Sequence, residues 1–276
     1  MTLPTDFQFS QASLQDYVDC PRRFQLRYVQ RVAWPALEAE PALENERYMQ
    51  QGAAFHRLVH QHLLDIPTEK LSAVVTDRDL LRWWRNYLEV GPADLPAVQY
   101  PEVLLSTPAG DYRLAAKYDL VAVDVGRRAV IVDWKTSRKR TPRKQLADRL
   151  QTKVYPYVLV RAGHHLNDGQ PFEPEQIEMV YWFADFPDNP ARFAYDTVQY
   201  EDDERYLTAL IEEINGLGDE DWPLTAQGRR CNYCPYRSLC QRGVEAGPFG
   251  EIEGASEPDE DFDFSIGFEQ IAEIEY

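Results

Sequence analysis

Apolar residues recur at three- and four-residue spacing through the first third of the chain and then, from about residue 101, at every second position. That change of period predicts a helical N-terminal part followed by strands. Ser10 is placed to cap a helix within 10–31, with Leu14, Tyr17 and Val18 on one face and an interruption at Cys20-Pro21. Residues 44–64 carry a stripe of Phe55, Leu58, Val59, Leu63 and Leu64, and 77–90 forms a third helix around Trp83 and Trp84. Residues 101–106, 112–124 and 128–136 are rich in Val, Leu, Ile and Tyr and predict strands. The pattern then gives a helix over 142–162, strands over 176–184 and 192–199, and a helix over 201–216. The chain is therefore α/β, without an internal repeat or a glycine-rich phosphate loop.

The segment from Lys117 to Thr136 is two apolar strands around a turn containing Gly126. If the turn centres on Gly126, Asp119 stands opposite Asp133. Alternation then puts Asp119, Val121 and Val123 on the same face as Ala129, Ile131, Asp133 and Lys135. Opposed aspartates repel unless a positive group lies between them, and Mg2+ or Mn2+ takes such oxygen ligands. Lys135 would stand beside the metal, where it can orient a water or neutralise charge developing at phosphorus. Glu102, on the preceding strand, offers a further acid. The alternative is an exposed sheet face with a cross-strand ion pair. Gln151 and Tyr155 are four residues apart and share a helical face; His56, in the run GAAFH, is a good ligand for Mn2+ or contact for phosphate.

Composition changes this picture in one respect. The 276 residues carry a formal charge of -17, which on its own argues against a polyanionic partner. However, residues 251–276 hold ten acidic and no basic residues, more than half of the excess. We expect a body over 1–248 and an acidic, flexible tail over 249–276. Within the body, the stretch from Trp134 to Leu150 contains Lys135, Arg138, Lys139, Arg140, Arg143, Lys144 and Arg149 against one acid, Asp148. Basic residues beside aromatic ones suit single-stranded nucleic acid. No apolar run approaches the ~18 residues of a membrane helix, and the start lacks a signal region, so a cytoplasmic protein without membrane contact is expected.

Cys231, Cys234 and Cys240 form C-x2-C-x5-C, and Cys20 offers a fourth thiol from far upstream. Such a set reads as a metal site, either zinc or a [4Fe-4S] cluster.

The order His56, Asp119, Asp133-Trp134-Lys135, Gln151-x3-Tyr155, preceded by FSQASLQDYVDCPRRFQLRYV, resembles the RecB-type branch of the PD-(D/E)XK nucleases. The resemblance runs over about residues 8 to 245. It implies a restriction-endonuclease-like core, a mixed central sheet flanked by helices, with a helical N-terminal part and a C-terminal segment stapled by an iron-sulfur cluster. His56, Asp119, Asp133 and the Trp134 carbonyl would hold Mg2+ or Mn2+, and Lys135 would assist the attacking water. Gln151 and Tyr155 would contact DNA, together with the basic residues Arg138, Lys139 and Arg140. Because iron-sulfur members of this branch group three cysteines and isolate one, the resemblance favours [4Fe-4S] over zinc on Cys20, Cys231, Cys234 and Cys240. It implies hydrolysis of single-stranded DNA or DNA ends in recombination, repair or CRISPR adaptation, beside a helicase or CRISPR-integrase partner. Two departures stand out: AKYD lacks the glycine often found before the acid, and Pro156 should kink the helix after Tyr155. The competing expectations are a non-catalytic DNA-end-binding subunit on the same fold, and a nuclease held inactive by its tail.

Overall fold

The computed structural model describes residues 3–4, 6–32, 42–218, 222–232 and 234–243; the acidic tail expected over 249–276 lies outside them. A six-stranded mixed sheet stands between two layers of helices. Its centre is β3 (Tyr112–Asp124), antiparallel to β2 (Val98–Ala109) along its whole length. On the other side of β3, the short β1 (Gln8–Ser10) runs parallel to its first half and β4 (Arg128–Lys135) antiparallel to its second. The sheet continues through β5 (Ile177–Phe183), parallel to β4, to the antiparallel edge strand β6 (Ala191–Ala194). Parallel strands covered on both faces read as continuous apolar runs, and β4 is accordingly buried from its second residue onward.

One face packs on α1 (Gln11–Asp19), α7 (Leu150–Ala162) and α8 (Thr197–Gly216), through Leu14, Val154, Val158, Leu207 and Ile211 against Val121, Ile131 and Met179. The other packs on α3 (Ala42–Leu63), α4 (Thr68–Val74) and α5 (Arg78–Val90), through Phe55, Val59, Leu71 and Trp83 against Leu120, Val130, Val132 and Trp182. Between α1 and α3, the turn α2 (Pro21–Phe24) widens into a π-helical turn over Gln25–Val29. The short α6 (Arg143–Ala147) precedes α7, and α9 (Gly228–Cys231) closes the described fold.

Local chemistry explains the element starts. Ser10 caps α1 reciprocally with Ser13, the Ser13 amide donating to Ser10 Oγ at 3.1 Å and the Ser10 amide to Ser13 Oγ at 2.9 Å. Asp77 caps α5 by accepting from the amides of Asp79 and Leu80 at 2.9 and 3.1 Å. Gly126 turns the β3–β4 hairpin at φ +72°, in the left-handed region that glycine enters freely.

Several expectations need correction. The strand predicted over 192–199 ends at Ala194, and α8 already begins at Thr197, capped by Asp196 accepting from the Gln199 amide at 2.8 Å. The helix predicted over 142–162 is two helices, broken at Asp148-Arg149. Strand β1 and helix α4 lie where no strand or helix was expected. Val18 and Leu64 leave their predicted stripes for solvent, at 41% and 56% exposure. Pro156 sits inside α7 without ending it and removes one N–H from the helical ladder.

Candidate active site

The hairpin register is the expected one. Pairs from Leu120↔Val132 to Asp124↔Arg128 centre on Gly126 and bring Asp119 into line with Asp133, just past the last paired residues. Facing is where the structure departs from simple alternation. Val121, Val123, Ala129 and Ile131 share the α7 face as expected, but Tyr118 packs on that face too, with Leu120 on the opposite one. Two-residue periodicity therefore slips between Tyr118 and Val121, at Asp119. Directly across, pairing of β2 with β3 skips Glu102, whose φ of +53° is a strained value for a residue with a side chain. The irregularity frees Asp119 from the regular ladder.

Asp119 uses that freedom to join two layers. Its Oδ2 accepts from the Trp134 amide at 2.8 Å, and its Oδ1 lies 3.3 Å from His56 Nδ1. Phe55, Leu58 and Val59 bury α3 against the sheet, which holds His56 at the margin of that packed face. Burial pushes the Asp119 carboxyl up, but His56, the Trp134 amide and the Lys135 ammonium outweigh it and hold the group below the ordinary carboxylate range. The backbone of β4 contributes as well. Lys135 accepts from the Ala184 amide through its carbonyl at 2.8 Å, so it bonds toward β5. Neighbouring residues of a strand bond to opposite sides, so Trp134 turns both its N–H and its carbonyl toward β3 and Asp119.

Asp133 and Lys135 are 4% and 5% exposed, with Lys135 Nζ 2.9 Å from Asp133 Oδ2. Gln151 Nε2 donates to the other oxygen, Oδ1, at 2.5 Å. Gln151 is thus buried at the start of α7 and holds Asp133. Tyr155, one turn later, is also buried, its ring 5.0 Å from that of Tyr118, whose hydroxyl donates to the Tyr155 carbonyl at 2.9 Å. Glu102 is not drawn onto the aspartates; its Oε2 lies 2.6 Å from Lys117 Nζ.

Sequence reasoning overlooked Thr136. Its carbonyl accepts from the Tyr48 hydroxyl, and its Oγ1 would lie 3.1 Å from a Cβ placed on Gly52. Close approach of α3 to the end of β4 is what the glycine allows, and Gly52 one turn before His56 was the available signal. Thr152 and Tyr181, which border the Asp133–Lys135 pair, gave no such signal.

The basic stretch is exposed and leaves the end of β4 along the sheet margin. Arg138 lies 5.1 Å over the Tyr48 ring; Arg140 donates to the Asn189 carbonyl at 3.2 Å; Arg143 donates to the Arg192 carbonyl at 2.6 Å and covers Phe193 at 4.2 Å. Lys139 is exposed between the first two. These cations form a path across the ends of β4, β5 and β6.

The cysteine segment docks on the N-terminal helices. Trp222 stacks on Phe24 with ring centroids 5.7 Å apart, the Arg22 amide donates to the Pro223 carbonyl at 3.2 Å, and Arg230 pairs with Asp19. Cys20, Cys231 and Cys234 are buried and Cys240 is half-buried. Burial pushes the Cys234 thiol up to about 11; Cys20 and Cys240 add to the rise, while the Tyr236 amide and Arg23 oppose it. Cys240 is raised by burial, then by Cys20 and Cys231. Docking of this segment thus brings the C-terminal cysteines toward the end of α1, where Cys20 stands. Among the described residues, however, no three of His, Cys, Asp or Glu come close enough together to hold a metal ion, and no helix is long and apolar enough to cross a membrane.

Two solved structures align with the chain at low identity. SSO0001 gives a TM-score of 0.40 at 16% identity, over 86% of this chain and 87% of its own. An exonuclease candidate from Eubacterium rectale gives 0.48 at 8% identity, over 75% and 79%. No match is found among curated proteins. The sequence itself matches the PD-(D/E)XK nuclease superfamily over residues 8–241, a span that opens on β1 and closes just after Cys240. With the match embracing the whole sheet and an aspartate brought into line with an Asp-Trp-Lys run on the next strand, the chain belongs to the PD-(D/E)XK nuclease superfamily.

Proposed function

We propose that this protein is a metal-dependent deoxyribonuclease of the RecB-type branch, acting on single-stranded DNA or DNA ends. The observation that carries the reading is the hairpin register that brings the His56–Asp119 pair into line with the Asp133–Lys135 pair on the neighbouring strand. The donor set fits Mg2+ or Mn2+, which need only one or two carboxylates and complete their shell with water and phosphate oxygens. Asp119, Asp133, His56 and the Trp134 carbonyl would hold the ion after closing the gaps that separate them here, and the ion when bound would lower the pKa of a water and polarise the phosphate. Lys135 supplies positive charge beside the developing phosphorane. Gln151 fixes the aim of Asp133, and Tyr155 backs the sheet at Tyr118. Arg138, Lys139 and Arg140 neutralise backbone phosphates, with aromatic rings nearby for unstacked bases. A helicase or CRISPR-integrase partner would present the strand.

The test is cleavage of end-labelled single- and double-stranded DNA by the full chain and by a chain ending near residue 248. Expected is cleavage with Mg2+ or Mn2+ that stops on chelation. Binding without cleavage by either chain would overturn the enzyme reading and favour a DNA-end-binding subunit; cleavage by the shorter chain alone would assign the tail an inhibitory role.

Cys20, Cys231, Cys234 and Cys240 are proposed to take a [4Fe-4S] cluster in preference to zinc. The support is the docking of the cysteine segment on the helices that flank Cys20, fastened by Trp222 and Arg230, with three of the four thiols buried. Because such a cluster would close a loop around the sheet, its loss should act on stability first. Protein purified without oxygen should be brown, and Cys234→Ala should be pale and melt earlier. A colourless, fully stable wild type so purified would exclude the cluster.

A further inference from the structure

The groups around the buried aspartate close into a ring. Gln151 Nε2 donates to Asp133 Oδ1 at 2.5 Å, and Asp133 Oδ2 meets Lys135 Nζ at 2.9 Å. The ammonium in turn lies 5.7 Å from the centroid of Tyr181, the residue paired with Asp133 on β5. The Tyr181 hydroxyl meets Thr152 Oγ1 at 2.7 Å, and Thr152 directly follows Gln151 on α7. Thr152 has a single hydroxyl proton, and it donates this to the Leu146 carbonyl. Tyr181 must therefore be the donor in the Tyr181–Thr152 bond, which fixes the direction of the phenol. Phe193 closes the other flank edge-on, with ring centroids 5.9 Å apart, and Tyr181 is fully buried.

We infer that Tyr181 is a positioning residue for Lys135, its ring face holding the ammonium against Asp133 while Thr152 anchors the ring. The inference rests on reading Asp133 and Lys135 as the catalytic pair. Lysine has a flexible four-carbon stem and three freely rotating donors, so one carboxylate alone leaves several ways to meet it. A ring face within about 6 Å adds attraction from a second direction, stronger where water is excluded. The first turn of α7 thereby locks both members of the pair, Asp133 through Gln151 and Lys135 through Tyr181 and Thr152.

A cycle of variants tests the inference. Tyr181→Leu should lower kcat roughly 10-fold, with KM and metal-free DNA affinity unchanged, while Tyr181→Phe, which keeps the ring, restores most of the rate. In a Lys135→Ala background Tyr181→Leu should lower kcat no further. Equal losses in both backgrounds would overturn the inference, because Tyr181 would then act by another route. If Tyr181→Leu does not fold, Thr152→Val takes its place, with the same dependence on Lys135 and a smaller loss. A second readout needs no cleavage. The 15N resonance of the Lys135 ammonium, assigned with Lys135→Arg, should be slow to exchange in wild type, slightly and equally broadened in Tyr181→Phe and Thr152→Val, which lose the same hydroxyl bond, and strongly broadened in Tyr181→Leu. An unchanged resonance in Tyr181→Leu, or in Thr152→Val should Tyr181→Leu not fold, would overturn it. Failure of the wild type to cleave DNA would count against the nuclease reading alone, and the resonance would still decide the role of Tyr181.

Discussion

Asp133→Ala is expected to lower DNA cleavage roughly a thousandfold or more, because under the proposed mechanism it removes a charge that would act together with Lys135 and Asp119 at the reacting phosphate. The same change should also weaken the fold. Lys135 is 5% exposed, and its ammonium would lose the carboxylate 2.9 Å away. Removing one partner of a buried ion pair costs about 3 to 5 kcal/mol, more than the net contribution of the pair itself. At roughly 2 to 4 °C per kcal/mol for a chain of this size, the melting temperature should fall by about 6 to 20 °C. The two losses can be separated. Asp133→Ala combined with Lys135→Met removes both charges and should recover most of the stability while remaining inactive. Asp119→Asn should match Asp133→Ala in lost activity but lose less stability, since the Asp119 side chain is more open, at 17% exposure. Cleavage by Asp133→Ala within tenfold of wild type would remove this aspartate from the catalytic set. Failure of the double variant to regain stability would show that Asp133 supports the fold by something other than its pairing with Lys135.

Why the hairpin was legible, and its exact facing was not, has a physical basis. Gly126 and the apolar runs on either side suffice to set a register, and the register brings Asp119 into line with Asp133. Alternation then correctly places Val121, Val123, Ala129 and Ile131, which are shielded between the sheet and α7. It fails at Asp119, where the ladder skips Glu102 and the periodicity slips. This slip coincides with the His56–Asp119 contact from α3, which lies some 60 residues earlier in the chain, and leaves no local trace. The end of the strand predicted over 192–199 had a local signal that the apolar pattern masked: Asp196 is a helix cap. Gln151, expected to reach substrate, instead donates its amide to Asp133, and its burial depends on how closely α7 sits on β4. Tyr181 and Thr152 belong to the same category. Tyr181 looks like an ordinary strand residue until the parallel pairing of β4 with β5 brings it beside Lys135, and Thr152 like an ordinary helix residue until its hydroxyl meets Tyr181.

The layer behind the site should prove as important as the charges in it. Trp182 lies on β5 beside Trp134, fully buried, stacked on Phe55 at 6.1 Å, edge-on to Trp134 at 5.8 Å and to Tyr87 at 6.2 Å. Its indole N–H donates to the Val90 carbonyl at 3.1 Å, at the end of α5. Trp182→Ala should therefore destabilise the protein by about 3 to 5 kcal/mol through lost contacts and the cavity left behind. It should also act on the chemistry, because Phe55 precedes His56 on α3 and stacking on Trp182 helps set where that helix rests. A helix displaced by about 1 Å carries the imidazole away from Asp119, and a shift of that size at a reacting centre costs on the order of a hundredfold in rate. Trp84→Ala provides the comparison. Trp84 is equally shielded, at 2% exposure, but its N–H is on Ser72 Oγ of α4 at 2.9 Å, its ring is on Tyr87, and it meets α3 only at its far end, edge-on to His62 at 5.6 Å and more than a turn past His56. Both variants should melt earlier, yet well below their transitions Trp84→Ala should keep close to wild-type specific activity and Trp182→Ala should not. Equal specific activity in the two would mean that α3 holds His56 without the Phe55–Trp182 stack, leaving Tyr48, Gly52 and Thr136 as the contacts that set its position.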